Sequence, residues 1–401
     1  MSIQSIPRTS ETRLDLLRSI AAILVVLGHW RILMFQDYPR LVAPPFWVKL
    51  FYFLSGLGKP SVMLFFVLSG YLVTASALRS IDNGSWSVES YLTQRITRLM
   101  VVLLPALALC WFWDSLGISI VPHGLYDGAI STAALSPNLA GRRDIWTLFQ
   151  NGLFLQGVTT TTYGSNDPLW SLSYEFWYYM FLIPLISILR GSSFVRRCLC
   201  AGVLCAGFWV VGRQITVYFL IWLLGAAVAG LMRSRVLLNY RSGRFGVRAS
   251  MFILIATLVL IRTKHLPEGF RGHFVLACTC SLFIYCVVTG DDGNGSRLLT
   301  SFSKNTASWS YSLYLLHMPF LVWAASLVIR ERQWYPDVQH LLSAVPVLVG
   351  ALLYSYLISL ITERHTNVVR RSLFRQNLAS QPSRVVVPAR PTLQSAEKWM
   401  L

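Results

Sequence analysis

Along most of its length the chain alternates apolar stretches of about twenty residues with short polar, Arg-rich or Pro- and Gly-containing connections, the period that a bilayer imposes on spanning helices. Apolar runs at 14–34, 57–77, 97–117, 170–189, 195–211, 214–232, 249–262, 273–290, 308–329 and 340–362 predict ten helices and an all-α, polytopic membrane protein. The run at 249–262 is short for a span. A further apolar piece, 145–157 (IWTLFQNGLFLQG), falls short of the roughly 20 residues a span needs and reads as re-entrant or interfacial. The transmembrane domain then fills 13–365, between a polar N-terminal segment, 1–12, and a basic tail, 366–401, both expected to be disordered. The longest connection, 118–169, is long enough to be a functional surface. No internal repeat or inverted symmetry of the kind that marks many secondary transporters is visible.

Composition agrees with this pattern. The 401 residues are 54% hydrophobic and 13% charged, against about 25% charged in soluble domains. Ten spans put both termini on one side, where 23 of the 35 Lys and Arg fall, with 12 on the other, so the positive-inside rule predicts cytoplasmic termini. Much of the net charge of +18 sits in the cytoplasmic connections (Arg233, Arg235, Arg241, Arg244, Arg248) and the tail (Arg370, Arg371, Arg375, Arg384, Arg390). Anionic membrane lipids are its natural partner, and nucleic acid is not, because no basic patch is interleaved with aromatics in a soluble fold. The first span lacks a cleavage site and is expected to be retained. The seven cysteines (Cys110, Cys198, Cys200, Cys205, Cys278, Cys280, Cys286) lie in or beside spans without matched His or carboxylate partners. They read as small buried hydrophobes, and no metal site is expected. DDGNG at 291–295 lacks the spacing of a calcium loop and reads as a turn.

The candidate chemistry begins in the first span, LDLLRSIAAILVVLGHW, which carries Asp15, Arg18 and His29. Ionisable residues inside a membrane segment point to function. Arg18 and His29 are eleven residues apart, close to three turns, so they share a helix face about 16 Å apart along it. Asp15 can pair with Arg18 at i, i+3. Arg18 alone would read as a snorkelling cation, but His29 lies too deep for that. In GKPSVMLFFVLSGYL (58–72), Ser69 and Gly70 interrupt an apolar face and permit close helix packing. In PLWSLSYEFWYYM (168–180), Glu175 lies within the fourth span with Ser171 on the same face. By the predicted topology Glu175 and His29 lie at similar depth, and a carboxylate that orients an imidazole makes it a competent base. In SWSYSLYLLHMPF (308–320), Ser310, Tyr314 and His317 make a polar stripe that serves either interhelical hydrogen bonding or catalysis. Arg95 and Arg98, just before the third span, join Arg18 in a cluster suited either to anchoring or to clamping phosphates.

Taken in chain order, Arg18 with ten intervening residues and His29, FFVLSGY at 65–71, RITRLM at 95–100, LWSLSYE at 169–175 and SYSLYLLH at 310–317 resemble the motifs of the membrane-bound acyltransferase 3 family. Tyr71 and Tyr174 stand where the family often has Phe and a small residue. The resemblance implies a ten-helix core in the cell (inner) membrane that takes an acyl group, usually acetyl, from cytoplasmic acyl-coenzyme A and delivers it to a carbohydrate hydroxyl outside. Asp15, Arg18, Arg95 and Arg98 would hold the donor. His29 would deprotonate the hydroxyl or briefly accept the acyl group, with Glu175 tuning it, and Phe65, Phe66, Ser69, Ser171, Ser173, Tyr314 and His317 would line the site. Some relatives carry a fused extracytoplasmic hydrolase-like domain, whereas this chain ends soon after its tenth helix and is expected to act alone, as a homo-oligomer or with a separate extracytoplasmic partner. Acceptor recognition is assigned to the loops 35–56 and 118–169. The rival readings are a transporter or flippase of a carbohydrate or lipid-linked intermediate, and an acyltransferase whose acceptor is lipid or peptidoglycan.

Overall fold

The computed structural model describes residues 8–136, 138–191, 193–233, 242–290, 301, 303 and 305–379. The 291–295 turn, Arg235, Arg241, Arg384 and Arg390 lie outside the described residues. The described chain runs α1 (Arg8–Met34), α2 (Phe46–Ser55), α3 (Gly58–Asp82), α4 (Val88–Ile120), α5 (Ile145–Gly152), α6 (Leu169–Arg190), α7 (Phe194–Leu231), α8 (Arg244–Arg262), α9 (Phe270–Thr289), α10 (Ser310–Val328), α11 (Val338–Ile361) and α12 (Thr366–Ala379). Nine runs among the described residues are long and apolar enough to cross a membrane.

One of them is two spans. As a single rod α7, 38 residues long, would measure about 57 Å, nearly twice a hydrocarbon core. Gly212 inside it has φ 78° and ψ 174°, a backbone state that a side chain would disfavour. The Phe208 and Phe219 rings are 5.9 Å apart, although eleven residues of straight helix would separate them by about 16 Å. The chain therefore folds back at Gly212 into two arms, 194–211 and 213–231, matching the two runs expected there. Counted this way, the ten expected spans are all present as helices.

Several boundaries differ from the expectation. α1 begins at Arg8 rather than after residue 12, with Glu11 in its first turn and Arg31 in its last, both suited to the helix dipole. α4 begins at Val88, capped by the Ser87 hydroxyl accepting from Ser90 N, so Arg95 and Arg98 lie inside a helix and not before it. α8 reaches 19 residues. The described part of the tail, 366–379, is helical and packs on α4, because the Pro- and Ser-rich composition that suggested disorder is confined to later positions. The 35–56 connection contains α2, which buries Val48 and Tyr52 and leaves Phe46, Trp47, Leu50 and Leu54 exposed. α5, inside 145–157, is capped by Asp144 and exposes Ile145, Trp146 and Phe149. Both are short and amphipathic, and they suit a membrane interface.

α3 packs most extensively against α7. A Cβ at Gly70 would lie 2.0 Å from the Trp222 carbonyl oxygen, and one at Gly225 would lie 1.9 Å from that of Val67. The atoms in the way are backbone, so neither neighbour can swing aside. Gly70→Val is expected to force the helices apart at a cost of about 1–3 kcal/mol or more, read as a lower thermal unfolding midpoint in detergent; a midpoint equal to wild type would show that the crossing tolerates the added bulk.

Candidate functional site

Five helices, α1, α3, α4, α6 and α10, enclose a cavity whose polar lining is Arg18, Ser69, Arg98, Ser171, Glu175, Tyr179, Ser310, Tyr311 and Tyr314. Phe65 and Phe66 contribute apolar wall. Arg18 and Asp15 approach to 3.8 Å, as the i, i+3 spacing predicts. Glu175 accepts from the Ser69 hydroxyl at 2.9 Å and from the Tyr179 hydroxyl. Its field reaches both Arg18 and Arg98. Glu363, from the turn after α11, adds negative charge to the same pair of guanidiniums and accepts from the Ser312 amide at 2.9 Å and hydroxyl at 2.8 Å. This end of the cavity therefore holds two cations balanced by carboxylates.

His29 sits further along α1. It does not pair with Glu175. Its Nδ1 lies 2.9 Å from Nε2 of His317, and the rings stack with centroids 5.1 Å apart. The expected partnership fails because α6 does not start level with its neighbours. The Asn166 amide, just before α6, donates to the Leu315 carbonyl at 2.8 Å, and Leu315 is only five residues into α10. Pro319 has no N–H for that carbonyl, so α10 offers it to Asn166. The hydroxyls of Ser171 and Tyr314 then meet at 2.6 Å, and Glu175 is carried a further turn away from the histidines. Counted along the helices, Glu175 lies roughly 10 Å below His317 at 1.5 Å per residue.

The histidine pair has a defined proton arrangement. His317 Nδ1 is 2.8 Å from the Leu313 carbonyl, which only accepts, so this nitrogen carries the proton. His317 Nε2 then presents a lone pair, and His29 Nδ1 must donate to it. For two neutral rings this leaves His29 Nε2 with its lone pair free. His317 is fully buried and His29 only partly so. Tyr314 links the two halves of the site: it lines the cavity, its ring lies 6.2 Å from that of His317, and Phe65 packs on it edge-on at 5.9 Å.

Two expected site residues lie elsewhere. Arg95 packs over the Tyr91 and Tyr179 rings, behind Tyr179 as seen from the cavity, in a niche lined by Ser76, Ser80, Ser85, Ser87 and Ser90. Ser173 is buried and donates to the Phe154 carbonyl at 2.7 Å, tying α6 to the loop after α5. Sequence reasoning overlooked Tyr179, Tyr311, Asn166, Glu363 and Asp114. Asp114 is fully buried and accepts from the Ser165 amide at 2.9 Å and hydroxyl at 2.6 Å, which fixes the loop carrying Asn166. Gly164 has φ +53° there, and a Cβ on it would be 2.2 Å from an Asp114 oxygen. Asp114 was open to discovery, as the carboxylate within the third expected span. Among the described residues no group of three or more His, Cys, Asp or Glu is placed to hold a metal.

A family model described as an acyltransferase domain, of the acyltransferase 3 type, matches residues 11–364. Over 296 residues, 66% of this chain and 44% of the relative, the sequence is 26% identical to the Bacillus subtilis (strain 168) protein named "Putative peptidoglycan O-acetyltransferase YrhL". Over 133 residues, 33% of this chain and 50% of the relative, it is 30% identical to an uncharacterized protein of Haemophilus influenzae. The chain spans about half the length of these curated relatives. No solved structure matches it.

Proposed function

Because the chain belongs to the acyltransferase 3 family, we propose that it moves an acyl group, acetyl foremost, from acyl-coenzyme A on the side of the termini to a carbohydrate hydroxyl on the far side. The observation that carries this reading is the polar column from Arg18, Arg98 and Glu175, through Ser171 and Tyr314, to His317 and His29. In this proposal Arg18 and Arg98 receive the donor phosphates. Their side of the membrane is the cytoplasm, by the asymmetry of Lys and Arg, and the membrane is the cell's inner one. The thioester end of the donor then rises past Tyr314 toward the histidines.

His29 Nε2, with its free lone pair, takes the proton of the acceptor hydroxyl as that oxygen attacks the thioester carbonyl. The carbon–sulfur bond breaks, and the coenzyme A thiolate leaves and recovers the proton from the imidazolium. Glu175 acts at the donor end in this scheme, holding Arg18 and Arg98 together by offsetting their mutual repulsion. Named acetylation of peptidoglycan in the Bacillus relative supports a glycan acceptor here.

Binding of acetyl-coenzyme A to purified protein in nanodiscs tests the donor half. Saturable binding is expected for the wild type. Arg18→Ala should weaken it roughly tenfold or more, the worth of a charge-assisted hydrogen bond, with the helical circular dichroism signal unchanged. Equal affinity in the folded variant would move the phosphate site away from α1, and no binding to the folded wild type would favour a transporter.

A further inference from the structure

Cations are depleted on the far side of a membrane protein, so those placed around a reaction centre there call for a reason. Two, Arg31 and Lys59, act on His29, and a third, Arg262, lies beside Arg31. Arg31 follows His29 by two residues on α1. Lys59 follows Gly58, whose Cα would lie 3.6 Å from a Cβ on Gly28, the residue before His29. Arg262, at the far-side end of α8, donates to the Tyr52 carbonyl at 3.0 Å, and the Arg31 guanidinium packs over the Tyr52 ring at 5.0 Å. The fields of Lys59 and Arg31 both reach His29, and that of Lys59 also reaches His273.

Among the described residues none of the three makes an ion pair, including Arg31 with Asp37, whose field reaches it. The Nε of Arg31 is buried without a hydrogen-bond partner. A buried, unsatisfied guanidinium nitrogen with a second cation, Arg262, acting on it is a costly arrangement unless something negative fills it.

Resting on the reading that His29 serves a hydroxyl from the far side, we propose that the acceptor is an acidic carbohydrate whose carboxylate or phosphate is held by Arg31, Lys59 and Arg262. The charge would steer the acceptor to the mouth and fix which hydroxyl meets His29.

The test uses the full chain in phosphatidylcholine nanodiscs and three probes: a hexauronate, its carboxyl-reduced neutral counterpart, and a glycerol phosphate hexamer. The wild type should bind at least one acidic probe tenfold or more tightly than the neutral one, and the stronger acidic arm tells carboxylate from phosphate. Lys59→Gln and Arg31→Gln should each reduce that preference severalfold, and both should still bind acetyl-coenzyme A as the wild type does. Lys59 is exposed, so this variant carries the test if Arg31→Gln misfolds. Equal binding of acidic and neutral probes, absence of acidic binding, or an undiminished preference in Lys59→Gln would overturn the proposal. Failure of the donor reading is separate: it appears as wild-type protein that does not bind acetyl-coenzyme A, whatever the probes do.

Discussion

His29→Ala is expected to lower acyl transfer by about 10²–10⁴-fold, the usual contribution of a positioned general base, with donor affinity close to wild type. The separation follows from geometry. Arg18, Arg98 and Glu175 line the cavity together with Tyr314 and Phe65, and His29 is not part of its wall. Truncating His29 removes one hydrogen bond, to His317, and leaves the Ser171–Tyr314 and Asn166–Leu315 links intact. The unpaired His317 nitrogen costs about 1–3 kcal/mol, a modest loss for a ten-span bundle. The measurement is turnover of acetyl-coenzyme A with acceptor present, alongside acetyl-coenzyme A binding to the same preparation. Full activity with normal binding would dismiss His29 as the base.

The contrast between His29 and Glu175 marks where the sequence could be read and where it could not. Helical spacing alone put Arg18 and His29 on one face, because that relation depends on a single helix and its fixed rise. The polar stripe of α10 was visible for the same reason. Which carboxylate or imidazole faces His29 depends on how far one helix slides along another, and here a proline sets the slide. Pro319 frees the Leu315 carbonyl, Asn166 takes it, and α6 starts deep in the bundle with Glu175 displaced toward the arginines. Apolar run lengths carry no information about such staggering, since a helix that begins below its neighbours is as apolar as one that begins level with them.

Arg95 shows a related limit. Arg95 and Arg98 are three residues apart, and their spacing suits either anchoring or phosphate clamping beside Arg18; Arg98 lines the cavity, whereas Arg95 packs over the Tyr179 ring. The glycines were more informative. Gly70 was legible as a packing position, and the Gly212 reversal falls in the gap between two expected runs. In both cases a local backbone requirement, close approach or positive φ, leaves a residue type behind in the sequence.

The second large effect belongs to His317, as a positioning residue. Its Nδ1–H is held by the Leu313 carbonyl and its Nε2 faces His29, so it selects the tautomer of His29 whose outer nitrogen can accept a proton. His317→Phe keeps the ring's bulk in a fully buried site but removes the acceptor. Transfer should then fall by about 10²-fold or more, because a base in the wrong tautomer offers N–H where a lone pair is needed. A structural role would give a similar loss, so the double variant decides. If His317 acts only through His29, His29→Ala with His317→Phe is no slower than His29→Ala alone, since residues acting as a unit are not additive. His317→Gln provides the second check, because its amide oxygen can accept from His29 Nδ1–H and should recover part of the rate that Phe loses. Losses that multiply in the double variant, with no recovery in Gln, would make His317 a packing residue and leave the His29 tautomer to be set by something else.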